Sequence, residues 1–288
     1  MRNFKITAVV LAVLAAIGFS SCMGGTDEES TATYTFADNF EYVTDAGGNY
    51  LNGYNNVVYD VELGSDGTVT VKINGLKQPD NIAYGTITLT GLKYSIAKEG
   101  WIDISDDHVV GTVAGADVKL TFTQFAMRMV PAPSTERAPG FFARFVLDGK
   151  YSIFTAPRMQ TLYGTMTSAY SGGTYETTAT DYIFTFDAAA STVDIQLKNC
   201  SFVEQMRKMD ITFEDVPFTV SSNNADFSAS EIIPVSGGTP YPNFAIRDLA
   251  GVFAFAGDMK MDFRCTPPTM PFAFNVSVDC KFDFVKSE

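Results

Sequence analysis

A single histidine, His108, follows Asp106 and Asp107 in the stretch WIDISDDH that begins at Trp101 and includes Asp103. An imidazole oriented by a carboxylate could act as a general base, and three aspartates could offer hard oxygen ligands to calcium. Both chemistries need side chains that converge. Neighbours on an extended chain point away from one another, no Gly-x-Ser-x-Gly elbow supplies a nucleophile, and the spaced acids and closing glutamate of a calcium loop are missing. The stretch therefore reads as a solvated turn between strands, since Ser and Asp favour turns through local hydrogen bonds. A glycosidase needs two carboxylates facing across about 5 to 9.5 Å, and 33 acidic residues nominate no pair. Asp117, Asp148, Asp258 and Asp279 all read as solvated charges beside turns or at strand ends.

Softer chemistry fares no better. Methionines 127, 129, 206, 209, 259 and 261 suit alternating core packing better than copper. With one histidine in the chain, no metal site and no cofactor are expected. Cys200, Cys265 and Cys280 form an odd set with no convincing pair, which points to buried free thiols. Tyrosines near Gly, Ser or Pro turns are the remaining candidates. Tyr163, Tyr170, Tyr175 and Tyr241 could stack on a sugar or anchor a partner. Tyr241, between Pro240 and Pro242, would be held stiffly and lose little entropy on binding.

The fourth cysteine has a different setting. Arg2 and Lys5 precede an apolar run over 6–19, and small residues lead to Cys22. That is a secretory leader over 1–21, too short to span a bilayer permanently. Phe19-Ser20-Ser21-Cys22 resembles a bacterial lipoprotein box, with Phe where Leu is usual; the resemblance implies cleavage before Cys22 and acylation of its thiol, so that the lipid bilayer becomes a partner. Residues 22–33 read as a flexible tether rich in Gly, Ser and Thr. Its acidic cluster, Asp27, Glu28 and Glu29, resembles the surface-export signal of Bacteroidetes lipoproteins, implying an outer-membrane protein that faces outward; the alternative is a charged tether on a lipoprotein that faces the periplasm.

The elements that must position these residues are strands. Val69, Val71 and Ile73 alternate with polar residues, as do Ile87 with Leu89 and Val118 with Leu120 and Phe122. No dozen-residue window carries a helical stripe with caps. In the first half, strands are expected near 34–42, 57–63, 68–76, 84–96, 101–104, 109–113, 117–127 and 142–152. A net charge of −13 excludes nucleic-acid binding.

The alternation also repeats. Val69, Val71, Ile73 and Leu76 match Val193, Ile195, Leu197 and Cys200, and Ile87-Thr-Leu89 falls on Ile211-Thr-Phe213. Tyr59, Val61 and Leu63 match Tyr182, Phe184 and Phe186 with one residue of slippage. Further blocks, 117–122 on 258–263 and 148–151 on 279–282, extend the match if roughly 17 residues are inserted in the second copy within 221–243. Two all-β domains result, 34–155 and 156–288, each an antiparallel meander closed as a barrel or folded as a sandwich. With VTVKINGLK and GTITLTGLKYSI in one copy, VDIQLKNCSF and MDITFEDVPFTV in the other, and the acylation box, the chain resembles the calycin-like lipoproteins of Bacteroidetes. That resemblance implies lipocalin-like barrels and leaves function open.

Address and architecture lead to a non-enzymatic binding module for a glycan, a peptide or a small apolar molecule. The alternative is a structural or adhesive component of a surface assembly that meets a protein partner. A hydrolase would need a facing carboxylate pair in a cleft.

Overall fold

The computed structural model describes residues 32–97, 101–130, 141–221, 223–266 and 272–281. The leader, Cys22 and the acidic cluster of the tether lie outside the described residues. Eight antiparallel strands form the first barrel. They are β1 (Ala32–Asp45), β2 (Tyr50–Leu63), β3 (Thr68–Asn74), β4 (Ile87–Ile96), β5 (Ile102–Val113), β6 (Lys119–Met129), β7 (Phe141–Leu147) and β8 (Tyr151–Pro157). Each pairs with the next, and β8 returns to β1.

The second barrel starts directly after Pro157 with β9 (Met159–Tyr170), β10 (Gly173–Thr177), β11 (Asp181–Asp187), β12 (Thr192–Cys200) and β13 (Met209–Ser221). It continues with β14 (Asn224–Ile232), β15 (Val235–Ser236), β16 (Thr239–Pro240), a 3-10 turn at Pro242–Phe244, β17 (Ile246–Ala254), β18 (Met259–Cys265) and β19 (Phe274–Cys280). Strands β9, β11, β12, β13, β14, β17, β18 and β19 close the ring, with β12 bonded to β13 and β19 to β9. Strand β10 pairs with the later half of β9, so β10 and β11 together do what β2 does alone. The protein is thus all-β, two antiparallel eight-stranded barrels in tandem, an architecture that fits a calycin-like fold.

Period-two patterning decides what each barrel holds. Val69, Val71 and Ile73 point inward and are fully shielded, while Lys72 between them is exposed. Eight strands enclose a bore that side chains can fill. Tyr59, Phe122, Phe125 and Phe145 occupy the first barrel; Phe184, Phe213, Phe227 and Phe263 occupy the second. Closure pairs each barrel's last strand with its first, so neither ring ends in an open edge strand.

The duplication extends to backbone detail. Tyr59 pairs with Ile73 as Tyr182 pairs with Leu197, and Val71 with Leu89 as Ile195 with Phe213. The β3–β4 and β12–β13 ladders carry a bulge at the same place, with Gly91 at φ 75° and Asp215 at φ 54°. Strand β6 repeats as β17, with Gln124 at φ 52° and Asp248 at φ 54° in matching bulges.

That last equivalence corrects the sequence alignment. The block 258–263 belongs to β18, the counterpart of β7, and not to a copy of β6; likewise Asp279 lies on β19 and does not match the β7–β8 turn. No insertion of about 17 residues exists, because the span between paired Ile232 and Ile246 is one residue longer than that between Val109 and Phe122. The same length of chain is used differently. Pro234 has no N–H for a ladder, so the second copy breaks the hairpin into β14, β15, β16 and the 3-10 turn. Extra residues fall instead in the first copy, where the connection from Met129 to paired Phe141 is six residues longer than that from Phe253 to Met259. Two strand assignments also change. The spans 101–104 and 109–113 fall in one strand, β5 (Ile102–Val113), and do not flank a turn, and 142–152 takes in most of β7, the Asp148-Gly149 turn and the start of β8.

Both faces of β1 are covered between Asn39 and Val43, and this reveals how the barrels meet. Asn39, Glu41 and Val43 point into the first barrel. Phe40 and Tyr42, joined by Phe142, Phe154 and Ala156, point outward and are buried in the core of the second barrel against Phe186, Phe218 and Phe255. Ring centroids stand 4.4 Å apart for Phe154 and Phe255 and 5.1 Å for Phe40 and Phe186. The seam is pinned by polar contacts too: Tyr50 Oη donates to the Ala188 carbonyl at 2.8 Å, and Phe186 N–H to the Arg158 carbonyl at 2.8 Å.

Candidate functional site: the cleft between the barrels

Where the aromatic seam stops, the outer wall of the first barrel becomes polar. In register across β1, β8 and β7 run two rows: Tyr42, Phe154 and Arg144, then Thr44, Ser152 and Val146. The first row begins under the second barrel and the second row lies beyond its edge. Val220 and Ser221, at the end of β13, overhang this wall, and a cleft of about 410 Å³ opens between the two barrels. Gln124, on its bulge, and Gly48, in the β1–β2 turn, complete the rim. The volume is in the usual range for small-molecule sites.

The chemistry of the lining is uneven. Tyr42, Phe154 and Val220 supply apolar surface, while Thr44, Ser152, Ser221 and Gln124 carry neutral donors and acceptors. Arg144 is the only charged residue of the lining. Burial, reinforced by neighbouring Tyr50, pushes the Tyr42 phenol above its ordinary value, so it stays a neutral group at the floor. The arrangement can hold and orient a polar molecule. It presents no nucleophile with a base, and no pair of carboxylates.

The sequence-derived candidates lie elsewhere. Tyr163 sits half-buried near the start of β9, opposite Asp181. Tyr170 lies seven positions along the same strand, roughly 23 Å away by strand rise. Its ring stacks on Phe272 at 5.3 Å and meets Phe274 at 5.5 Å, which places it in the wall closing that end of the second barrel. Tyr175 hydrogen-bonds Ser201 Oγ at 3.2 Å on β10. Tyr241 is 43% exposed beside the 3-10 turn, its N–H donating to the Pro234 carbonyl. None of the four lines the cleft. Cys22 lies outside the described residues.

The aspartates near His108 do not converge either. Asp103 is gripped at two points by Arg128, with Nη2 to Oδ2 at 2.9 Å, and the Arg128 guanidinium lies over the Trp101 ring at 5.6 Å. Asp106 accepts the His108 N–H at 2.8 Å, and the imidazole is exposed on β5. Cys200, Cys265 and Cys280 are buried free thiols. Burial pushes Cys265 up to about 12 and raises the other two, so all three stay protonated at neutral pH.

Arg144, Ser152 and Thr44 were not singled out from the sequence. A faint signal existed. The β1, β7 and β8 segments carry apolar residues on both faces up to Phe154 and then turn polar on one, which marks a buried wall ending in an open one.

No family model matches the chain, and no curated protein matches it. Among solved structures it is similar to a Bacteroides fragilis protein provisionally described as an outer membrane protein, at 16% identity over 87% of this chain and 97% of that one, with a TM-score of 0.35. It is also similar to a double variant of transferrin-binding protein B from Haemophilus parasuis, at 7% identity over 88% of this chain and 76% of that one, with a TM-score of 0.24.

Proposed function

We propose that this chain is a non-enzymatic binding lipoprotein of the bacterial outer membrane, facing outward, which takes its ligand in the cleft between its barrels. One observation carries the reading: the cleft is lined from both barrels by neutral polar groups and a single cation, although acids outnumber bases 33 to 20 in the chain. Both barrel interiors are already filled by side chains, which leaves the outer walls for recognition. Ser152 points into the cleft from β8, so Ser152→Trp should fill it without touching either core. A ligand captured by the parent on a glycan or metabolite array should be lost by that variant. Retention at full strength would refute the cleft as the site.

Acylation of Cys22 supplies the anchor, and the acidic cluster behind it supports surface display. Cys22→Ala should shift the protein from the membrane fraction to the soluble one on cell fractionation; a variant as membrane-bound as the parent would contradict the anchor.

A groove on the outer wall of the second barrel favours the adhesive alternative. It is lined by Phe218, Phe227, Asp226, Lys260, Asp262 and the 41% exposed Val252. If a protein partner docks there, Val252→Arg should abolish its capture while leaving cleft ligands untouched.

A further inference from the structure

We infer that the ligand of the inter-barrel cleft is a hydroxyl-rich monocarboxylate of the sugar-acid class, and that Arg144 receives its carboxylate. The inference rests on the cleft being the binding site and adds what the site selects.

Arg144 shares with Arg207 and Arg264 the lack of an ion pair among the described residues, and of these three it alone lines the cleft. Arg128, Arg158 and Arg247 are each held by an acid, namely Asp103, Asp38 and Glu231. Arg144 is exposed and makes no ion pair or hydrogen bond among the described residues, and no Asp or Glu lines the cleft. Its backbone is held in the sheet. It pairs with Ala126 on one side and Phe154 on the other, so Arg144 follows Phe154 in the row that runs out from the aromatic seam. A guanidinium presents a planar fork of donors that matches a carboxylate at two points.

The rest of the lining narrows the choice. A chain of net charge −13 repels polyanions at long range, so one anionic group aimed at one local cation is better matched than a highly charged ligand. Ser152 and Gln124 can each donate and accept, while the Ser221 and Thr44 hydroxyls, which donate to Asp226 and to the Ser152 carbonyl, keep lone pairs for accepting; together they complement ligand hydroxyls. Val220 and the edges of Tyr42 and Phe154 offer the apolar flank on which the C–H face of a sugar ring can rest. About 410 Å³ has room for a two-ring molecule.

The test uses the detergent-solubilised full chain and an isosteric pair of probes. Cellobiouronic acid carries a carboxylate where cellobiose carries a hydroxymethyl group. By calorimetric titration at neutral pH the acid should bind at least tenfold more tightly, and added salt should narrow the gap. Arg144→Gln should erase the preference, and Arg144→Lys should restore part of it. Because the side chain is exposed, unchanged melting of both variants will show that folding is intact. Equal binding of the two probes, with both lost in Ser152→Trp, would overturn the role of Arg144 and leave the cleft standing as the site. Binding of the acid that survives Ser152→Trp would overturn the cleft itself. Failure of the acid to bind would overturn the sugar-acid assignment, with Ser152→Trp against the array ligand still judging the cleft.

Discussion

Gly53→Val should melt on the order of 10 °C below the parent and leave the two barrels poorly joined. Gly53, on β2, pairs with Tyr42 and faces the second barrel where it approaches most closely. A Cβ at this position would stand 2.1 Å from the Ala188 carbonyl oxygen and 2.3 Å from its carbon, both backbone atoms. A clash with backbone cannot be relieved by a rotamer change. Ala188 is fully buried and receives the Tyr50 hydroxyl, so it has no room to retreat. Overpacking of this kind costs roughly 3 kcal/mol or more. Thermal unfolding and limited proteolysis across 157–159 would read the effect; a variant that melts within about 2 °C of the parent would show that the barrels do not meet at Gly53.

Glu41→Gln should stabilise the protein at pH 8 by a few kcal/mol and change little at pH 4.5. Glu41 is fully buried inside the first barrel, on β1. Its Oε1 has no hydrogen-bond partner, and its Oε2 accepts only the Lys77 N–H at 3.3 Å. Burial pushes the carboxyl from its ordinary 4.5 up to about 8, against the lowering effects of the Lys77 N–H and charge. Between those values the folded protein keeps a proton that the unfolded chain has released. Stability attributable to this residue is therefore fully present below pH 4.5 and falls as pH rises toward 8, by on the order of 4 kcal/mol. Glutamine cannot ionise, yet its Oε1 can still accept from Lys77. Denaturant melts of parent and variant at both pH values would expose the difference, and a gap that does not widen with pH would contradict a protonated, buried Glu41.

What the residues disclosed on their own was governed by distance along the chain. Alternation at 69–73 and 87–89 gave away strands, and Tyr59 with Tyr182 gave away the duplication, because ladder register is a local property of neighbouring strands. The same alternation misled once it had no landmark. Every inward-facing strand looks alike at period two, so 117–122 slid one strand along to 258–263, and the shift manufactured an insertion. Pro234 was the missed clue, since its lack of an N–H explains why one hairpin is broken while its length is kept. The Asp148-Gly149 turn, with both residues at positive φ, divides the span 142–152, as an Asp-Gly hairpin signal does. The cleft was illegible for another reason. Thr44, Arg144, Ser152 and Val220 are brought together by packing one barrel on another, and no spacing in the chain encodes that.

Recognition between the barrels and recognition on the loop that bears Tyr241 make opposite demands on two side chains. A single calorimetric comparison decides: the ligand captured by the parent is titrated into Ser152→Trp and into Tyr241→Ala. Filling the cleft should abolish binding, while loss of a ring that lines no part of it should leave affinity within about twofold, roughly 0.4 kcal/mol. Binding that survives Ser152→Trp and collapses in Tyr241→Ala would place recognition on the loop and contradict the cleft.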